Sequence, residues 1–479
     1  MGRTQENIEI KETAATIAAV STPAGISGLA VIRISGPDAG LICDQLFHPV
    51  SSRFKKASQM EAYSLGVGYW HDLKSGQLVD QVVLSCFRGP NSYTGEDVYE
   101  VSCHGSPYVR EAILASLLAA GAQAAGPGEF SRRAFINGKL DLAEAEAVMD
   151  MIASESSRQN QVALRQLRGQ LSDSVTQLRE DFYQVLGQIE MIIEFPEHED
   201  SPQNRDDIFE HLSSLAHVLE DAVASFRQGR VVREGFQVVI AGRPNVGKSS
   251  LLNALVGADK AIVTDQAGTT RDIIEAQIII DGLAVNLTDT AGLRTTSDLV
   301  EREGISRAKD AVDKADLIFY LFSPEDPTSW ADDLTQVETW LGEGKELVLL
   351  AAKEDLAGHA DLVNYLQTAL AGRELELLTF SRYQKDRLQE VKDQIIKSFN
   401  KLGQTESDAI LITHFRHKQV LSQSLAHVQE AISALRSNIP LDLVSGLLRA
   451  GAEDLAEITG DEVSEELIER IFSEFCVGK

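Results

Sequence analysis

Residues Gly242 to Ser249 read GRPNVGKS, and this octet decides the fold. It satisfies G-x-x-x-x-G-K-[ST] at every fixed position. An apolar run, QVVIA at 237–241, leads into it, and a helix-forming run, SLLNAL at 250–255, leads out. Strand, glycine turn and helix in that order form a phosphate cradle. Glycines let backbone N–H groups face phosphate oxygens, and the helix N-terminus adds partial positive charge. Lys248 can reach the outer phosphates, and the Ser249 hydroxyl can ligate magnesium. A glycine turn that binds nothing would leave the lysine buried without an anion, at a cost.

Working outward, TDQAGTTR at 264–271 supplies Thr269 and Thr270 for a switch loop that completes magnesium ligation. A strand pair at 274–280 and 284–288 ends in Asp289-Thr-Ala-Gly292, the D-x-x-G pattern, where Asp289 would hold magnesium through water. Further apolar strands at 315–321 and 346–350 predict a mostly parallel sheet. The base-recognition loop reads Ala352-Lys353-Glu354-Asp355, against the usual N-K-x-D. Asp355 can accept from the guanine N1 and N2 donors, but the asparagine is missing. Ser381-Arg382 stands where Ser-Ala is usual. Leu293 follows D-x-x-G, so no glutamine orients the attacking water there. Glu301, Arg271 and Arg294 are polar candidates for that work. For Glu301 a solvated helix charge is the alternative. Asn245 could bind a monovalent cation beside the phosphates.

The 479 residues predict about three domains. A net charge of −28 argues against coating nucleic acid by bulk electrostatics, though not against a local basic patch or a basic partner. Cys43, Cys86, Cys103 and Cys476 are scattered without a C-x-x-C pair, which fits a reducing cytosol and indicates neither zinc nor disulfides. No signal-peptide core or membrane-length apolar run is visible. Residues 1–138 alternate strands with turns and predict an α+β domain. Residues 139–232 and 397–479 carry helical spacing, including an apolar stripe from Leu164 through Leu167 and Leu171 to Ile192. One helical domain with the nucleotide domain, 233–396, inserted into it is the economical reading. Two separate helical domains are the alternative. Taken alone, Arg33, Glu100 and Lys139 read as surface charges or ion pairs, and His104 as structural.

The chain resembles the tRNA-modifying GTPase family MnmE (TrmE) over essentially its full length. The resemblance rests on Thr22-Pro-Ala-Gly25, Arg33-Ile-Ser-Gly36, PNSYTGED at 90–97, Pro127-Gly-Glu-Phe-Ser131, Lys139-Leu-Asp-Leu142, GRPNVGKSSLLNAL from Gly242, Gly268-Thr-Thr-Arg-Asp272, Asp289-Thr-Ala-Gly-Leu-Arg294, Ile458-Thr-Gly460 and the terminal Phe475-Cys-Val-Gly-Lys479. It implies a P-loop GTPase domain inserted into an all-helical domain, after an α+β N-terminal domain that dimerises and binds folate. It implies GTP or GDP contacts from Asn245, Val246, Gly247, Lys248, Ser249 and Ser250; from Thr264, Asp265, Gln266, Ala267, Gly268, Thr269 and Thr270; from Asp289, Thr290, Ala291 and Gly292; and from Ala352, Lys353, Asp355, Ser381 and Arg382. Magnesium would be held by Ser249 and Thr270, and potassium by Asn245, Thr264, Gln266 and Thr269. Glu301 would orient the water.

The resemblance further implies a homodimer whose G domains meet during potassium-dependent hydrolysis. It implies reduced folate (5,10-methylenetetrahydrofolate, with 5-formyltetrahydrofolate as an analogue) at Arg33, Glu100, Lys139 and Lys479. It implies an FAD-containing partner, MnmG, that uses NADH, and a joint product carrying an aminomethyl or carboxymethylaminomethyl group at C5 of the tRNA wobble uridine. Arg132, Arg133, Arg165 and Arg168 could contact tRNA, and Cys476 reads as structural or positioning, with a nucleophile as the alternative. A cytoplasmic location follows. A ribosome-assembly GTPase acting as a binding switch is the runner-up, and it would want a basic RNA-binding appendage. A membrane-remodelling GTPase would want a lipid-binding stretch.

Overall fold

A computed structural model describes residues 15–50, 52–194, 202–258, 276–289, 309–373, 375–381, 383–403 and 410–479. The chain divides into two compact units. One joins residues up to 149 with 456–479, and the other comprises 150–455.

The first unit holds a seven-stranded sheet in the order β3-β4-β5-β6-β2-β1-β7. Its strands are β1 (Ile17–Val20), β2 (Ser27–Ser35), β3 (Phe47–Pro49), β4 (Ser64–His71), β5 (Leu78–Phe87), β6 (Val98–Gly105) and β7 (Gln123–Ala124). All neighbours are antiparallel except β1 and β7. Alternation puts Ile32, Ile34, Trp70, Leu84 and Val101 in one buried layer with helices α1 (Ala39–Leu46) and α2 (Pro107–Ala119). Within that layer the Trp70 indole N–H donates to Ser116 Oγ at 2.9 Å. Residues of the opposite parity, Arg33 on β2 and Glu100 on β6, stand directly across from each other on the other face.

Helix α3 (Glu129–Ile136) and the start of α4 (Leu142–Ala153) follow. Leu142 and Ala145 of α4 pack with Ile468 and Phe472 of the last helix. That helix spans Glu465–Ser473, and its start is capped by Ser464, whose Oγ accepts from the Leu467 N–H at 3.3 Å.

The second unit holds a six-stranded sheet in the order β13-β12-β11-β8-β10-β9. Strands β8 (Phe236–Gly242), β10 (Leu283–Asp289), β11 (Leu317–Phe322), β12 (Leu347–Ala352) and β13 (Glu376–Phe380) are parallel, and β9 (Ala276–Ile280) is the antiparallel edge. Three of the four interior runs, β10, β11 and β12, are buried at every position, as expected of parallel strands covered on both faces. Helices α8 (Lys248–Ala258), α9 (Trp330–Gly342), α10 (His359–Ala369) and α11 (Lys385–Asn400) accompany the sheet.

The helical part of this unit departs from the sequence reading at one place. The apolar stripe from Leu164 to Ile192 predicts one continuous helical run. The structure has two helices instead, α5 (Ser157–Leu167) and α6 (Gln170–Glu194), with Gly169 at φ +85° between them. Leu167 and Leu171 keep helical spacing across the break, so periodicity alone cannot reveal it. Helix α5 buries Gln159, Ala163 and Gln166 rather than the leucine stripe. Its Gln166 amide donates to Thr413 Oγ1 at 3.1 Å. Helix α6 buries Leu171, Val175, Leu178, Phe182, Val185, Ile189 and Ile192, as the stripe predicts. The 33-residue α7 (Pro202–Glu234), α12 (Phe415–Arg436) and α13 (Leu441–Thr459) complete the set. Among the described residues no helix is long and apolar enough to cross a membrane.

Candidate functional site

The carboxyl ends of the parallel strands bring the described members of the sequence-predicted nucleotide set to one edge of the sheet, where ligands bind in open α/β folds. Strand β8 runs into the turn Arg243–Gly247, and α8 begins at Lys248. Gly242 sits at φ +137°, with the Leu321 carbonyl only 2.6 Å from where a Cβ would lie, so a side chain cannot be accommodated there. Asn245 takes φ +63°, a left-handed conformation that asparagine tolerates better than most residues. The Lys248 ammonium donates to the Gly242 and Arg243 carbonyls at 2.9 and 2.7 Å, folded into the loop it would open on meeting phosphate. Arg243 is fixed by Asp333 and Asp332 at 2.9 and 3.2 Å.

Asp289 ends β10, beside β8 in parallel register. The Ser249 hydroxyl donates to Asp289 Oδ2 at 2.9 Å. Two hard oxygen donors, one from the P-loop and one from the start of D-x-x-G, are thereby brought together. Magnesium is held by a small protein set of this kind together with phosphate oxygens. These residues fit that ion.

The base loop leaves β12 at the same edge. Ala352 is buried, and its methyl lies 3.8 Å from where a Cβ on Gly247 would stand. Lys353 adopts φ +59° and pairs with Glu325. Glu354 pairs with Arg387, and Asp355 is exposed. Ser381 is buried after β13, and its Oγ accepts from the Tyr383 N–H at 3.4 Å. Thus Asn245, Val246, Gly247, Lys248, Ser249, Ser250, Asp289, Ala352, Lys353, Asp355 and Ser381 border one edge. The remaining sequence-predicted residues lie outside the described residues. These are Thr264, Asp265, Gln266, Ala267, Gly268, Thr269, Thr270, Arg271, Thr290, Ala291, Gly292, Arg294, Glu301 and Arg382.

A cavity of about 1120 Å³ occupies the opposite, amino-terminal edge of the same sheet. Its charged lining includes internal pairs, Arg230 with Asp316 and Arg233 with Asp150. Burial pushes the Asp316 carboxyl up despite that arginine. The cavity lies between helices and sheet, away from the P-loop edge.

The first unit contains a second constellation, assembled from distant parts of the chain. The Arg33 guanidinium pairs with Glu100 at 2.8 Å and lies over the rings of Tyr93 and Phe130, at 5.0 and 5.6 Å from their centroids. Its side chain is only 13% exposed, and Nη1 is buried without a hydrogen-bond partner. The terminal residues run beside this pair. Val477 bridges to Pro127, the Phe130 N–H donates to the Lys479 backbone oxygen at 3.2 Å, and Ser21 Oγ donates to the Gly478 carbonyl at 3.1 Å. Gly478 sits at φ +94°, with the Val20 carbonyl 2.3 Å from where a Cβ would be. Burial, and then the positive charge of Arg33, lower the Lys479 ammonium below the ordinary lysine range, with Glu100 opposing. A half-buried pocket therefore holds two cations beside one carboxylate, and one cation has an orphaned N–H. That donor set suits an anionic ligand with an aromatic body.

Lys139 is exposed on the turn after α3, with its stem 3.5 Å from where a Cβ on Gly95 would lie. Cys476 is free and exposed. The exposed His104 donates its backbone N–H to Asp80 Oδ2 at 2.8 Å, and its ring Nδ1 lies 2.7 Å from Asp80 Oδ1, a structural pair. Of the four arginines with a possible RNA role, Arg133 is committed to Glu96 and Glu129, and Arg132 lies 3.8 Å from Glu465. Arg165 and Arg168 are exposed. Sequence reasoning missed Tyr93 and Phe130 as the aromatic walls around Arg33. Both lie inside quoted motifs, but neither carries a charge or spacing that marks a site.

A family model described as "GTP-binding protein TrmE N-terminus" matches residues 16–139, and one described as "MnmE helical domain" matches residues 142–476. The chain is 38% identical over 465 residues to the tRNA modification GTPase MnmE of Acetivibrio thermocellus, covering 97% of this chain and 99% of that protein. It is 39% identical over 469 residues to the tRNA modification GTPase MnmE of Lysinibacillus sphaericus, with coverages of 97% and 99%. For the protein of the same name from Bacillus velezensis, identity is 37% over 465 residues, with coverages of 97% and 100%.

Proposed function

This chain belongs to the MnmE family of tRNA modification GTPases, and on that premise we propose that it hydrolyses GTP while modifying the wobble uridine of certain tRNAs. The observation that carries the GTPase reading is the meeting of Ser249 and Asp289 beneath the P-loop, with Asp355 and Ser381 at the same sheet edge. The backbone from Asn245 to Ser249 would receive the β- and γ-phosphates, and Lys248 would exchange its two carbonyl partners for their oxygens. Ser249 and Thr270 would hold magnesium, whose positive charge offsets the charge that develops on the phosphates. Asn245, with Thr264, Gln266 and Thr269, would hold potassium, which supplies the charge an arginine supplies elsewhere. Glu301 would orient the attacking water, since Leu293 cannot.

In the first unit, Arg33, Glu100, Lys139 and Lys479 would bind a reduced folate. The orphaned Arg33 N–H and the disfavoured Lys479 charge support an anionic ligand there. Folate at the level of 5,10-methylenetetrahydrofolate would supply the one-carbon unit. The FAD-containing MnmG, drawing on NADH, would act with this chain to leave an aminomethyl or carboxymethylaminomethyl group on C5. The chain would work as a homodimer through its N-terminal unit, in the cytoplasm. The exposed Arg165 and Arg168 would contact tRNA, and the partner would carry the rest of that contact for a chain of net charge −28.

The test is GTP turnover in potassium against sodium at equal ionic strength, with Asn245→Ala and Glu301→Ala alongside. Rapid turnover in potassium alone is expected. Asn245→Ala should abolish the cation response, and Glu301→Ala should lose turnover while still binding nucleotide. Equal rates in both salts with Glu301→Ala unimpaired would overturn the potassium and Glu301 assignments and favour a switch that acts only by binding.

A further inference from the structure

The base loop poses a physical problem. In N-K-x-D loops the asparagine touches the purine and ties the loop to the P-loop. Here position 352 faces the P-loop at Gly247, but it offers only a methyl group. The loop must nevertheless hold Lys353 in a left-handed conformation and present Asp355 to solvent. It is held from outside at two consecutive residues. On one side the Lys353 ammonium pairs with Glu325, in the turn after β11. That turn is itself anchored, because the Trp330 indole N–H donates to the Ser323 carbonyl at 2.9 Å. On the other side Arg387 of α11 grips both oxygens of Glu354 at 3.2 Å and reaches Glu390 at 3.0 Å.

We propose that these two external ion pairs, Glu325–Lys353 and Arg387–Glu354, take over the loop-fixing work of the missing asparagine. Glu325 and Arg387 are then positioning residues for guanine recognition. Glu325 draws the Lys353 head outward, so that the lysine stem is laid along the base plane. Arg387 fixes the next residue, and the pair sets the direction of Asp355. Neither Glu325 nor Arg387 touches nucleotide. The inference rests on the GTPase reading and deepens it.

One consequence separates this arrangement from an asparagine tie. Glu325 and Lys353 are 55% and 25% exposed at the side chain, and Glu354 and Arg387 are 26% and 33% exposed. Exposed pairs weaken with salt, whereas a buried amide tie does not. Guanine-nucleotide affinity in this chain should fall with ionic strength more steeply than in a variant whose tie is restored.

The experiment measures mant-GDP binding to the full chain at two ionic strengths with potassium fixed. It compares the parent, Glu325→Gln, Arg387→Gln, both together, and Ala352→Asn in the parent and double backgrounds. Each single change should raise Kd about fivefold, with kcat at saturating GTP unchanged. The double variant should lose the excess salt dependence, and Ala352→Asn should restore affinity more in the double background than in the parent. Unchanged Kd in both single variants, or an equal gain from Ala352→Asn in both backgrounds, overturns the inference. A parent chain that fails to bind mant-GDP would overturn the guanine reading and this inference with it. A binding parent with indifferent variants overturns the inference alone.

Discussion

The P-loop and the pocket around the terminal residues, the two places where we propose that anions bind, are built differently. In the P-loop, consecutive residues from Gly242 to Ser249 furnish the cradle, and its donors are mainly backbone N–H groups plus one ammonium. In the terminal pocket, Arg33 comes from β2, Glu100 from β6, Phe130 from α3 and Lys479 from the last position of the chain. Its donors are side chains held by tertiary packing. A cradle of backbone groups separates binding from stability, because removing one side chain leaves the turn standing. A pocket of side chains joins the two, because the groups that would touch a ligand also hold the unit together.

The largest expected effect tests the first half of that contrast. Lys248→Ala should reduce GTP turnover by about 10²–10³-fold, the scale for removing one preorganised charge from a phosphoryl-transfer site. The urea midpoint should move far less than turnover does, since the Gly242 and Arg243 carbonyls that the ammonium meets belong to its own loop. A large loss of stability would break the contrast.

Arg33→Met tests the second half. A charge-assisted bond to a ligand carboxylate is worth about 1.5–3 kcal/mol, so affinity for 5-formyltetrahydrofolate should fall about 10- to 100-fold by titration calorimetry. The same change strands Glu100 in a half-buried place, so thermal stability should fall as well. Loss of affinity with stability intact would mean that the terminal pocket, too, separates the two roles.

Gly478→Ala sharpens the comparison with a change that adds no charge. Its Cβ would meet the Val20 carbonyl at 2.3 Å in a left-handed backbone conformation. Forcing it should cost about 1–3 kcal/mol in urea unfolding and should release the terminal residues from Pro127 and Phe130. Nucleotide affinity should be unaffected. Parental resistance of the variant's C-terminus to carboxypeptidase would refute the docking.

This difference in construction also governs what could be read from sequence. The P-loop turn, the position of Asp289 at a strand end and the loop after β12 were legible because each is written in a few adjacent residues, and strand order then brings Ser249 to Asp289. Apart from the family resemblance, Arg33 and Glu100 read only as surface charges or ion pairs, since 67 residues separate partners that sheet register sets opposite each other. Lys479 carried no signal beyond family resemblance, because its position depends on Val477 bridging to Pro127. The break at Gly169 was hidden for the opposite reason. Leu167 and Leu171 satisfy helical spacing, while the buried side of α5 is made by Gln159, Ala163 and Gln166, which no hydrophobic pattern marks.

The smallest expected effect is a pH dependence confined to the terminal pocket. Burial and Arg33 lower the Lys479 ammonium in the folded chain from the ordinary lysine value of 10.5, so the unfolded chain binds that proton more tightly. Where the unfolded state holds more protons, stability rises with pH. The Lys479 contribution therefore favours folding increasingly as pH climbs from the lowered value toward 10.5, and it is flat beyond. Other groups titrate in the same range, so the readout is the difference between the parent and Lys479→Met in urea midpoint from pH 7 to 10.5, with a steeper rise expected in the parent. An anionic ligand reverses the sign, because it favours the protonated lysine. Affinity for 5-formyltetrahydrofolate should decline as pH passes the lowered value, and should not do so in Lys479→Met. Parallel stability curves for the two proteins would show that Lys479 is as well solvated as an ordinary surface lysine. The terminal pocket would then share the P-loop's separation of charge from stability.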